Sequence, residues 1–172
     1  MNITGTKSWQ LYSALCKMLQ KNDIMYESDN DNMLVRCTVN GKDTEINLQF
    51  TVDASKMLIT LISVVPVKVK RDRASDVAMA LCLVNNRLYD GAFSLDINNM
   101  LVYYKMTSSF YNSHVNTSVY EYMLSEGANV MDEYYMKLKN IINGDEPYSL
   151  PEEENDSEAE FVEYLLNKNK QQ

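Results

Sequence analysis

The chain has 172 residues, of which 45% are hydrophobic and 23% charged, and its formal net charge is −8. That length and balance suit one globular domain able to bury its own core. They argue against a membrane-spanning protein, because the longest apolar run (MLITLISVVPVKV, Met57 to Val69) is interrupted and too short for a bilayer, and against a nucleic-acid binder, which carries a basic footprint.

The N-terminal stretch MNITGTKSWQLY has no basic start followed by an apolar run, so no signal peptide is expected. TKSWQLYSALCKMLQKN puts Trp9, Tyr12, Leu15, Cys16 and Leu19 on one helical face, with Thr6 as the N-cap. A short additional strand is expected at Ile24–Glu27, and DNDN (Asp29–Asn32) breaks the chain after it. MLVRCTVNGKDTEINLQFTVD reads as a hairpin turning at Asn40-Gly41, residues that tolerate positive φ. Ile46, Leu48, Phe50 and Val52 alternate with Glu45, Asn47, Gln49 and Thr51, the mark of a strand with one buried and one wet face. Met33, Val35, Cys37 and Val39 match the buried side.

A third strand is predicted from about Met57 to Val64, with Pro66 ending it or placing it at an edge. RASDVAMALCLVNNRLY reads as a helix. Val77, Leu81, Val84 and Leu88 form its apolar stripe, Ala78, Cys82 and Asn85 widen that face, Ala78 and Ala80 allow close approach to a sheet, and Gly91 stands where a left-handed cap would sit. AFSLDINNMLVYYKM is a second hairpin, turning at Asn98-Asn99. A long helix then runs to Gly144, striped by Val119, Met123, Val130, Tyr134, Leu138 and Ile141 and weakened at Gly127 by about 1 kcal/mol relative to Ala. The pattern predicts an α+β fold, an antiparallel sheet with helices packed on one face in the order α-β-β-β-α-β-β-α, over residues 1–144.

Beyond Gly144 the composition changes. Nine of the 24 acidic residues lie between Asp145 and Glu163, where there is no basic residue. Residues 145–156 read as an acidic linker and 157–172 as a short amphipathic C-terminal helix. Ser157 and Glu160 form a capping box, and Phe161, Val162, Leu165 and Leu166 form an apolar stripe. So short a helix is marginal alone in water. It is expected to fold when docked, where each buried apolar side chain contributes about 1.5–3 kcal/mol before the entropy of ordering.

Catalytic signals are sparse. The one histidine, His114, lies in the loop SSFYNSHVN with no second histidine or cysteine at ligand spacing, so neither a metal site nor a cofactor is expected. DNDN lacks the glycine and distal glutamate of a calcium loop, and there is no GxGxxG, GxxxxGK[ST] or GxSxG. Cys16, Cys37 and Cys82 are odd in number, have no CxxC pair and fall on positions expected to be buried, which suits reduced thiols in a cytoplasmic protein.

The helix end LVNNRLYDGAFSLD, the strand MLVYYKM and the closing helix with MDEYYMKLKNII resemble the YbjN family, over about Lys7 to Gly144. The resemblance implies the fold of type III secretion chaperones, a bacterial cytosolic protein and no known cofactor. Related chaperones dimerise and hold extended segments of a partner. The extra strand at Ile24–Glu27 and the acidic tail depart from the family's pattern.

Two strands are apolar on both sides, which calls for cover on both sides. If Met57, Ile59 and Leu61 face the helices, then Leu58, Thr60, Ile62 and Val64 face outward, and the reversed parity exposes the other set; in the second strand Met100, Val102, Tyr104 and Met106 share one face and Leu101, Tyr103 and Lys105 the other. Leu58, Ile62, Leu101 and Tyr103 are therefore the expected contacts with a protein partner or with a second copy in a homodimer, joined by Phe161, Val162, Leu165 and Leu166 of the tail. Asn85, Arg87 and Asp96 either shape the connection around Gly91 or form a polar site. The reading that follows is a non-enzymatic, chaperone-like or regulatory protein-binding module. Its alternatives are an acidic inhibitor competing for a basic surface of a nucleic-acid-binding protein, and an enzyme with an unfamiliar site.

Overall fold

A computed structural model describes residues 3–42, 44–112 and 116–145. Helix α1 (Ile3–Lys21) is followed by β1 (Tyr26–Asp29), β2 (Leu34–Asn40), β3 (Glu45–Asp53) and β4 (Leu58–Lys68). A 3-10 turn at Arg71–Arg73 leads into α2 (Ala74–Asn85), then β5 (Ala92–Asp96), β6 (Leu101–Ser109) and α3 (Ser118–Asn143). The strands form one six-stranded sheet in the order β1-β2-β3-β4-β6-β5, and every pairing is antiparallel. This is the α+β fold the alternation predicts, and the short strand expected at Ile24–Glu27 is the edge strand β1, two residues further on.

The helix-facing side of the sheet is apolar along each central strand: Val35 and Cys37, then Ile46, Leu48, Phe50 and Val52, then Ile59, Leu61 and Val65, then Val102, Tyr104 and Met106, all buried. Against them pack Leu11, Tyr12, Leu15 and Leu19 of α1, Val77, Ala80, Leu81 and Val84 of α2, and Tyr120, Met123, Val130, Tyr134 and Leu138 of α3. Gly127 is where α3 comes nearest the sheet: a Cβ there would stand 3.0 Å from Leu61 Cδ2. The residue that weakens the helix in isolation is the one that lets it seat on β4.

Three of the four hairpins share one device. Asp29, Asp53 and Asp96 end β1, β3 and β5, and each turns its Oδ1 back to accept the amides two and three residues on: Asp31 and Asn32 at 3.1 Å, Ser55 and Lys56 at 2.9 and 3.0 Å, Asn98 and Asn99 at 2.9 and 3.0 Å. In each case the fourth residue after the aspartate is a methionine with positive φ: Met33 (48°), Met57 (54°) and Met100 (55°). L-residues adopt that conformation reluctantly. Each methionine carbonyl then accepts an amide from the adjoining chain, Val52 at 3.0 Å, Phe110 at 3.0 Å and Val69 at 2.9 Å. Each side chain packs on the core. The strained backbone thus continues the ladder and turns an apolar side chain inward. The sequence marks it as D-x-x-x-M-L, read three times as DNDNML, DASKML and DINNML.

Local differences from the sequence reading have local causes. Helix α1 starts at Ile3, ahead of the expected cap Thr6. Trp9 is 48% exposed, because the buried face is set by Ser8, Leu11, Tyr12, Leu15, Met18 and Leu19. Of the three cysteines only Cys37 is buried; Cys16 is half-buried and Cys82 exposed. The sheet covers only the stripe through Val77, Ala80, Leu81 and Val84, so Ala78 lies outside it with Cys82. Strand β4 runs through Pro66 and does not end before it. The register slips between Val64 and Lys68, so the proline, which has no amide to give, sits where the ladder is already interrupted. The Asn40-Gly41 hairpin has four loop residues, since Asn40 pairs with Glu45, and Gly41 is not left-handed. Glycine is needed there because a side chain would strike the Asp132 carboxylate, which accepts the Lys42 amide at 2.6 Å. Helix α2 ends at Asn85 with Asn86 as its C-cap, and Gly91 (φ 71°) makes the turn into β5 instead of capping the helix. Gly144 (φ 85°) does cap α3.

Candidate functional site

The three helices of the described residues pack against one side of the sheet, and the other side bears the residues singled out as contacts. Leu58, Ile62, Leu101 and Tyr103 all point away from the helices, and all are half-buried. The register groups them unequally. Val64 pairs with Tyr103, which pairs on its other side with Ser94, while Ile62 lies between Gln49 and Lys105. Leu101 lies between Lys68 and Asp96. Ile62, Val64, Tyr103 and Leu101 therefore form one apolar strip along β4 and β6. Leu58 stands apart, across the row Thr51–Thr60–Thr107. Val64, absent from the expected contacts, is 42% exposed and the most open apolar side chain of the strip.

Over β2 and β3 the same face is polar and closed by its own side chains: Arg36 Nε donates to Gln49 Oε1 at 3.0 Å and Thr38 Oγ1 to Asn47 Oδ1 at 2.8 Å. Lys68 and Lys105 are exposed cations beside the strip, whereas Arg36, two strands from Ile62, stands opposite Glu27. Asp96, beside Leu101 at one end of the strip, spends its carboxylate on a hairpin turn, as Asp53 does beside Leu58 beyond the threonine row. The open part is thus a narrow apolar track with a positive border.

Asn85, Arg87 and Asp96 are each placed by local structure. The Asn85 amide behaves as a strand edge: Nδ2 donates to Phe93 O at 3.0 Å and Oδ1 accepts from Phe93 N at 2.8 Å. It pins the end of α2 to β5 and occupies backbone groups that an edge strand leaves open. The Asp96 carboxylate is taken up by Asn98 and Asn99, whose amide Nδ2 also donates to it at 2.7 Å. Arg87 is exposed and in none of the ion pairs among the described residues. What the sequence reading missed lies next to them. Tyr104, fully buried, donates its hydroxyl to Asp90 O at 2.8 Å, and Tyr122 reaches Asp90 Oδ2 at 3.3 Å. Burial, with the charges of Glu126 and Asp90, pushes the Tyr104 phenol well above its ordinary value. It is a fixed donor in the α2–β5 junction.

Among the described residues no group of three or more His, Cys, Asp or Glu is placed to hold a metal ion. DNDN is the first of the aspartate-capped hairpins. Burial raises the Cys37 thiol to about 11, far from a reactive thiolate. No described helix is long and apolar enough to cross a membrane. His114 and the tail residues Phe161, Val162, Leu165 and Leu166 lie outside the described residues.

Chains of similar fold occur in solved structures, one of them a chaperone–effector complex. A chain of the HopA1–SchA chaperone–effector complex superposes with a TM-score of 0.54 at 11% identity, covering 76% of this chain and 97% of its own. A chain of the ExsC–ExsE complex gives 0.56 at 12%, covering 80% and 97%. YbjN from E. coli gives 0.55 at 8%, covering 74% and 90%. No curated protein matches by sequence. Residues 12–140 match the family YbjN, "Putative bacterial sensory transduction regulator". The chain belongs to the YbjN family.

Proposed function

We propose that this protein is a non-enzymatic protein-binding module, chaperone-like or regulatory, that holds a segment of a partner protein or a second copy of itself on the outer sheet face. The observation that carries this is the apolar track of Ile62, Val64, Leu101 and Tyr103 on the side of the sheet that no described helix covers. Half-buried side chains with cationic neighbours can take up apolar side chains of an incoming segment, while Lys68 and Lys105 favour one with acidic flanks. The fold shared with a chain of a chaperone–effector complex supports the same reading.

Ile62→Asp and Tyr103→Asp test it. Both sites are part-exposed, so circular dichroism is expected to show the fold retained. Sedimentation and quantitative cross-linking are expected to show loss of self-association, or of one stoichiometric partner recovered with the wild-type chain. If both substitutions leave oligomer size and partner recovery unchanged, the outer face does not bind protein.

A further inference from the structure

We propose that the chain's own tail, residues 157–167, is an intramolecular occupant of the outer apolar track, a built-in competitor that a partner must displace. This deepens the reading above by naming what regulates that face. Three observations converge on it.

The first is where the described chain leaves the fold. At the end of α3, Arg73 Nη2 donates to Ile141 O at 3.3 Å, and the Arg73 guanidinium lies 3.6 Å from where a Gly144 Cβ would be. Arg73 follows the end of β4, where Lys68 pairs with Leu101. The chain therefore departs at the end of the sheet where the track begins, and the track runs from Leu101 through Tyr103 and Val64 to Ile62. The sixteen residues from Asp145 to Glu160 span about 20–24 Å root-mean-square if flexible. The track is about 14 Å long, four strand residues from Leu101 to the row of Lys105. Phe161 can round the sheet end and reach it.

The second is charge. Lys68, Lys70 and Arg71 are exposed at this end, with Arg73 beneath. Their acidic neighbours are Asp72 and Asp76, and Asp76 is already paired with Arg73 at 3.0 Å. Arg73 Nε is buried and has no acceptor among the described residues. The nine carboxylates between Asp145 and Glu163 are what this basic corner lacks. The third is apolar complementarity. Phe161, Val162, Leu165 and Leu166 fall on one helical face, and the acids Glu158, Glu160 and Glu163 can reach the cations beside the track.

Hydrogen exchange on the full-length chain tests the proposal. Amides of 157–167 are expected to exchange more slowly than free coil in the wild type. The protection should be lost both in Phe161→Asp/Leu165→Asp and in Ile62→Asp/Tyr103→Asp, and should not depend on protein concentration. A fluorescent peptide of sequence SEAEFVEYLLNK supplies a second readout. It is expected to bind the Phe161→Asp/Leu165→Asp chain several-fold more tightly than the wild type, whose tethered copy competes at an effective concentration on the order of millimolar. Absent protection in the wild type, protection that survives the Ile62→Asp/Tyr103→Asp change, or protection that grows with concentration (a tail docked on a second copy) overturns the proposal. The two readings fail separately: a protected tail in a chain that neither self-associates nor recovers a partner refutes the binding function and leaves the docked tail standing, and an unprotected tail in a chain that does bind through Ile62 and Tyr103 does the opposite.

Discussion

Replacing Gly91 by alanine tests how the segment between α2 and β5 is held. Gly91 has φ 71°, a conformation that opposes an L-residue by about 1–2 kcal/mol. The new Cβ would overlap the Tyr104 hydroxyl end and stand 2.7 Å from Met106 Cγ. Neither neighbour can swing into solvent, because both are buried and the Tyr104 hydroxyl is engaged by Asp90 O at 2.8 Å. Overpacking of this kind destabilises by about 1–3 kcal/mol, so Gly91→Ala is expected to destabilise by about 2–5 kcal/mol in total. Tyr104→Phe removes the obstructing oxygen together with one hydrogen bond, for a loss of about 0.5–1.5 kcal/mol. In that background the alanine meets less obstruction, and the double mutant should be more stable than the sum of the singles by about 1–2 kcal/mol. Urea denaturation followed by circular dichroism measures all four corners of the cycle. At about 1–3 kcal/mol per molar of urea, the single Gly91→Ala change should move the midpoint by about 1 M or more. Additivity within about 0.5 kcal/mol, or a Gly91→Ala chain as stable as the wild type, would refute the account of this junction.

The same reasoning reaches the other strained and close-packed positions. Met100→Gly relaxes a left-handed backbone but removes a buried side chain, whereas Met33 and Met57 are only half-buried; denaturation midpoints should fall most for Met100→Gly, and an equal effect at all three would mean that side-chain burial does not set the order. Gly127→Ala gains about 1 kcal/mol of helix propensity but drives a methyl against fully buried Leu61, so no net stabilisation is expected; a gain of the full 1 kcal/mol would show that Leu61 yields freely. The carboxyls of Asp29, Asp53 and Asp96 are held below their ordinary 3.8 by hydrogen bonds from Asn32, Ser55 and Asn99 respectively. Because the folded values are depressed, their contribution is complete above the unfolded value and is lost as pH falls below about 4. A chain with all three changed to Asn keeps the turn acceptors without the titration, and its melting temperature should fall less steeply with acid than that of the wild type; parallel curves would count against the carboxylates.

Much of the fold is written locally. The alternation from Glu45 to Val52 fixes the buried face of β3 whatever its neighbours do, because a strand's period of two leaves no other way to separate apolar from polar side chains. The stripe from Met123 to Ile141 and the stop at Gly144 likewise define α3. That Leu58 and Ile62 stand opposite Ile59 and Leu61, and Leu101 and Tyr103 opposite Val102 and Tyr104, was legible too, but not which set faces the helices, because both are apolar; packing of the helices on Ile59, Leu61, Val102 and Tyr104 decides it. What the sequence left open depends on residues far apart along the chain. Gly127 reads as a flaw in a helix until Leu61 is opposite it. Asn85 reads as a helix end or a site until its amide meets Phe93. Pro66 reads as the end of a strand until the slipped register with β6 makes room for it. Which of the outward residues form one track, with Val64 included and Leu58 set apart by Thr60, is decided only by the pairing of β4 with β6. Local pattern determines which way a side chain points, but strand register determines what stands beside it.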